Sequence, residues 1–238
     1  MPEWWVRLKG HAFDLEELSD QFRSPERNVT KDEDGHYYMR STDFNSVADD
    51  QAVRERALEL VELMNRAAKF HAGDGYRPVE LDVVIQTDEE GNRRQYVTVT
   101  DSIEARSRVS ANLTVIREGE SPDTPRLPSE AESMAILAEQ NPRLADALRY
   151  FARGDWVNLY KAWEVVGDAA GGARAIIANG WADRTEQGRF TGTAQSKDEL
   201  GDDARHASEK YKVPKNPMTL DEARAFVKSV IEAWAKTL

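Results

Sequence analysis

The hydrophobic positions change period along the chain, and the changes divide it. Trp4, Val6 and Leu8 alternate with residues that can face water, the period-two pattern of a half-buried strand. Leu15, Leu18 and Phe22 then recur at spacings of three and four, which predicts a short helix over Asp14 to Phe22. Asn28 to Lys31 and His36 to Arg40 flank the turn sequence DEDG, whose Gly35 can take positive φ without steric cost, so this pair predicts a hairpin. From Asp49 to His71 the period is helical, with Val53, Ala57, Leu60, Val61, Met64 and Ala68 on one stripe and Arg54, Glu55, Glu59 and Glu62 turned away. A stripe of about six turns belongs against a sheet. Gly73 ends it. Alternation returns at Val79, Leu81, Val83 and Ile85, again at Tyr96, Val97 and Val99 after the turn TDEEGN, and once more in Ile103 to Ile116. Strands joined by short turns pair antiparallel, so this half reads as a meander packed on the long helix.

Past Arg117 the pattern changes again. The run REGESPDTPRLPSE, Arg117 to Glu130, holds three prolines and a single large apolar residue, Leu127, and no strand pattern follows it. Helix signals do follow. Ser129 and Glu132 have the capping-box form, Asn141-Pro142 opens a second helix with Leu144, Leu148 and Phe151 on its face, and Gly154 stops that helix. Asp155 caps a third with Trp156, Leu159, Tyr160 and Trp163 on one side, expected to end at Gly167. A fourth runs from Ala169 to Asn179, with Asn179-Gly180 as a left-handed end. Thr219 and Glu222 form a second capping box, ahead of a steady stripe through Leu220, Ala223, Phe226, Val227, Val230, Ile231 and Trp234. The predicted architecture is α+β. Residues 1–118 form a domain with an antiparallel sheet, 119–129 a linker, and 130–238 a helical bundle interrupted by a long polar loop over 182–217.

Composition narrows the function. Net charge is -11 and pI about 5.0, which leaves no large basic surface for duplex DNA. The acidity is uneven: residues 1–120 carry 16 Lys and Arg against 25 Asp and Glu, and residues 121–238 carry 16 against 18. The second half is the one expected to meet an anionic ligand. With no cysteine, disulfides, thiolate catalysis and cysteine-type zinc sites are excluded. The start, MPEWWVRLKG, lacks a basic segment leading into an apolar stretch, and no run approaches the ~20 apolar residues of a membrane span, so a cytoplasmic protein with no membrane contact is expected.

The candidate chemistry lies in Arg189 to Met218, where Arg189, Asp202, Asp203, Arg205 and His206 gather in a region with few core residues. Gly201-Asp202-Asp203 can cap a short helix to Tyr211, and residues 205–215 are net +3, a basic patch on an acidic protein. A histidine beside cations suits acid-base work or contact with an anion. Asp202, Asp203 and His206 lack a second histidine nearby, so no metal is assigned, and no cofactor is expected. Trp156, Trp163 and Trp234 sit on or beside apolar stripes and are expected in the core. Trp181 follows a helix and opens the polar region instead.

Four patterns carry a resemblance. Trp156-x-x-Leu-Tyr-Lys-x-x-Glu164, Phe190-Thr-Gly-Thr-Ala-Gln-Ser196, Asp203-Ala-Arg-His206 and Pro214-x-Asn-Pro-Met-Thr-Leu-x-Glu-Ala223 resemble the pattern of a group of uncharacterised bacterial proteins. The resemblance implies that Lys161, Glu164, Arg205 and His206 belong to one constellation. With the polar stretch, this makes His206, Arg205 and Glu164 the catalytic candidates and Arg189, Lys161, Asp202 and Asp203 the ligand-binding ones. More remotely, Arg66 and His71 match the R-x4-H spacing of HEPN ribonucleases, and the bundle resembles theirs, which implies metal-independent RNA cleavage. Arg205 and His206 depart from that spacing, since adjacent helical residues point ~100° apart. The leading expectation is a binding or interaction module that meets a protein or RNA partner through residues 189–215. The alternatives are a HEPN-like or other metal-independent ribonuclease, and a structural protein that assembles as a homo-oligomer.

Overall fold

The computed structural model describes residues 3–87, 93–96, 128–200, 204 and 213–238. The first half is β1 (Glu3–Lys9), α1 (Ala12–Gln21), β2 (Arg27–Lys31), β3 (Tyr37–Ser41), a 3-10 turn at Thr42–Ser46, α2 (Asp50–Ala72), β4 (Glu80–Thr87) and β5 (Arg93–Tyr96). The five strands form one antiparallel sheet in the order β2-β3-β1-β4-β5. Helices follow: α3 (Glu130–Gln140), α4 (Pro142–Arg153), α5 (Trp156–Ala170), α6 (Ala173–Ala178), α7 (Arg184–Gln195), α8 (Lys197–Leu200) and α9 (Leu220–Ala235). The α+β reading therefore holds. The expected strand positions Val97, Val99 and Ile103 to Ile116, and most of the expected linker, lie outside the described residues.

The helical stripe of α2 is buried as its spacing predicts, from Val53 to Phe70, and it packs on β4 and β1. Along β4 the alternation breaks. Pairing with β1 shifts register between Arg7 and Leu8, so Leu81 and Val84 reach the main core with Val6 and Leu8. Val83 and Ile85 join Tyr38 and Trp5 in a separate buried cluster. A bulge of one residue turns the strand over, which is why four alternating apolar residues do not share one face.

The helices after the proline-rich run pack directly on α2. One core holds Leu60, Met64 and Phe70 together with Ala135, Leu148 and Phe151, and the rings of Phe70 and Phe151 meet edge-on at 4.9 Å. Polar ties reinforce this contact. Ser129 caps α3 through its side-chain oxygen and donates to the Gln21 carbonyl at 2.8 Å. Glu132 was expected to close a capping box on Ser129, but it is buried and accepts from the Ser24 N–H at 3.2 Å instead. The carboxylate serves the first half of the chain. Arg27 from β2 and Arg56 from α2 share Asp43 and Glu139, joining the sheet, α2 and the end of α3 in a half-buried network.

Three segments differ from expectation in the second half, the expected fourth helix from Ala169 starting only at Ala173, after Gly171 and Gly172. The third helix does not end at Gly167 but runs to Ala170, closing on Gly171 at φ 93, because Val166 and its neighbours are buried and packing outweighs the low helix propensity of one glycine. The expected loop over 182–217 contains α7. Asp183 caps it, and Phe190, Thr193 and Ala194 are buried at helical spacing. Gly188, Gly192 and the threonines dilute its apolar signal. Trp156, Trp163 and Trp234 are in the core.

The ring contact between the halves generates a prediction. Phe70→Ala removes a fully packed aromatic and should cost about 3–5 kcal/mol. Guanidinium unfolding followed by circular dichroism and by tryptophan fluorescence should give coincident transitions at the new midpoint. Separated transitions would show that the two halves keep independent stability.

Candidate functional site

The turn after α6 builds one wall of an open groove. Gly180 sits at φ 72, its N–H bonds to the Ile177 carbonyl, and the Trp181 N–H reaches back to Ile176 at 3.0 Å. This is a Schellman ending, which pairs orphan carbonyls and sets the residue after the glycine against the helix. Trp181 is thereby held half-buried on the edge of the core. Two residues later Asp183 accepts from the N–H groups of Thr185 and Glu186, at 2.7 and 3.3 Å, and starts α7. The groove encloses about 520 Å³ between Gly180–Asp183 with Glu186 on one side and α9 on the other, where Phe226 forms the floor beside exposed Ala225 and Ser229.

Arg189 ties two of the lining carboxylates together. Its guanidinium donates to the Asn216 carbonyl at 3.0 Å, to Glu186 at 3.0 Å and to Glu222 at 3.1 Å. These carboxylates, Glu186 first and then Glu222, push its pKa up. Glu222 completes the capping box of α9 by accepting from the Thr219 N–H at 2.8 Å, and that bond, followed by Arg189, holds its carboxyl below the usual range. The amides at the start of α7 do the same for Asp183. The groove is thus lined by Asp183, Glu186 and Glu222, with Arg189 paired to the last two.

The same helix is pinned from within. Thr193 is fully buried, donates to the Arg189 carbonyl and accepts from the Met218 N–H at 3.0 Å. Phe190 stacks on Trp156 and Tyr160, meets Trp163 edge-on and tilts against Phe226 at 5.1 Å. Gln195 donates to the Tyr160 hydroxyl at 2.6 Å. The expected FTGTAQS motif thus anchors α7 to α5 and to the start of α9.

Of the sequence-predicted residues, Asp202, Asp203, Arg205 and His206 lie outside the described residues. Arg189 is engaged by Asn216, Glu186 and Glu222, and none of its bonds goes to Lys161 or Glu164. Lys161 lies with its ammonium 5.7 Å from the Tyr150 ring, and Glu164 is half-buried one turn further along α5. In α2, Arg66 pairs with Glu62, and His71 faces Glu130 at 3.4 Å while its carbonyl accepts from Lys228. Sequence reasoning singled out Trp181 but not Asp183, Glu186, Ala225 or Ser229. Asp183 and Glu186 belong to the start of α7, and Ala225 and Ser229 are small residues on the exposed side of α9, all of which read as ordinary surface.

No protein-family model, curated protein sequence or solved structure matches this chain. Among the described residues no helix is long and apolar enough to cross a membrane.

Asp183 and Glu222 have depressed folded pKa values, so their contribution to stability is present above the ordinary carboxylate range and is lost as pH falls through the folded values. Glu222→Gln should lower Tm at neutral and alkaline pH and leave it little changed at acid pH, so that the acid limb of the Tm-against-pH curve becomes shallower. Gly180→Ala puts a side chain at positive φ and should cost about 1–2 kcal/mol, with a shift in tryptophan emission as Trp181 moves. An unchanged spectrum would show that the Schellman ending does not hold Trp181.

Proposed function

We propose that this protein is a binding module, and that its contact surface is the groove between the α6–α7 turn and α9. The observation that carries the reading is the placement of Trp181. Where Trp156, Trp163 and Trp234 fill the core, Trp181 stands at the wall of an open groove, held there by the backbone of a helix ending. Its volume falls within the range of ligand sites, and an aromatic beside a few fixed polar groups is the usual make-up of a recognition surface. The surrounding geometry is rigid. Arg189 and Thr193 hold α7 and the 216–218 segment together, so the groove is present before any partner arrives, which lowers the entropic cost of binding.

The reading is tested by filling the groove. Ala225 is exposed on α9, so Ala225→Trp should occupy the space with little effect on Tm, as surface changes usually do. A protein or RNA partner retained by the unmodified chain should be lost by Ala225→Trp and kept by Leu58→Trp, a change of the same kind at an exposed site on α2. Equal retention by both variants would remove the groove as the contact surface.

A further inference from the structure

We infer that the groove takes a lysine- or arginine-bearing segment of a partner protein. The inference rests on the reading of the groove as a contact surface and names the chemistry of its occupant. Three carboxylates, Asp183, Glu186 and Glu222, line the groove, and Arg189 pairs with the last two, so these four groups together are net -2. Each acid is held in place. Asp183 is fixed by amides of α7, Glu222 by the Thr219 N–H, and both Glu222 and Glu186 by Arg189.

The remaining walls suit the same occupant. An ammonium or guanidinium gains from contact with an indole ring, and Trp181 lines the groove wall. Phe226 and Ala225 offer apolar surface to the methylene stem of such a side chain, which covers apolar area while its charged head meets the rim. An anion meets the opposite of what it needs, because Arg189 is already forked onto two carboxylates and a carbonyl. A free polyamine would satisfy the charge but would leave the floor beside Phe226 less well filled than a peptide with side chains of its own. The chain's net charge of -11 draws a basic segment toward the surface before contact.

General attraction and groove binding are separable. The probe is fluorescein-labelled hexalysine, titrated against the full chain and followed by anisotropy at low and at physiological ionic strength, with hexaglutamate as the control. Ser229→Lys sets a cation inside the groove, whereas Leu58→Lys changes the net charge equally on exposed α2. Ser229→Lys should weaken hexalysine binding about tenfold or more, Leu58→Lys less than about twofold, and Trp181→Ala about tenfold. Equal weakening by Ser229→Lys and Leu58→Lys would reduce the effect to net charge and overturn the proposal. Spermidine binding as tightly as hexalysine would overturn it too, since the occupant would then be a small cation. If a partner depends on the groove by the Ala225→Trp comparison while hexalysine does not bind there, the occupant's chemistry is wrong and the contact surface stands. If Ala225→Trp changes nothing, the surface itself is wrong.

Discussion

Helix α2 is buried on two sides, and the rest of the molecule is arranged by that constraint. Its apolar stripe covers the sheet through β4 and β1, while α3 and α4 pack against it from the second half of the chain. A helix that serves a sheet and a bundle at once makes one continuous core out of two sequence regions of different type. The polar contacts follow the same line. Glu132 leaves its expected cap to meet Ser24, and Asp43 and Glu139 share Arg27 and Arg56, because burying α3 on α2 brings those groups into a half-dry seam where each charge needs a partner.

The second half repeats the logic on a smaller scale around Phe190. Its ring is fully buried among four aromatics, so α7 is fixed although its sequence is mostly polar. Polar residues there act as pins. Thr193 ties Met218, Arg189 ties Asn216 and Glu222, and Gln195 ties Tyr160. With α7 and α9 held by these contacts, an open groove lies between the α6–α7 turn and α9, with Trp181 on its wall.

Where apolar residues recur with one clear period, the elements could be read from the chain alone. The strand at Trp4, Val6 and Leu8, the long helix from Val53 to Phe70 and the final helix from Leu220 to Trp234 all match, and so do the caps at Asn141, Asp155 and Thr219. These signals are local, since a period or a cap depends only on residues within a turn or two. The misreadings occur where a local rule met a distant contact. Gly167 reads as a stop until the burial of Val166 is known, α7 reads as a loop until Phe190 has its aromatic neighbours, and the bulge in β4 is invisible until the strand is paired with β1. The groove belongs to the same class. Trp181 stood out in the chain because no stripe claimed it. That Asp183, Glu186 and Glu222 come together around it, with Arg189 binding two of them, depends on residues up to 39 positions apart being folded side by side, and no periodicity carries information over that distance.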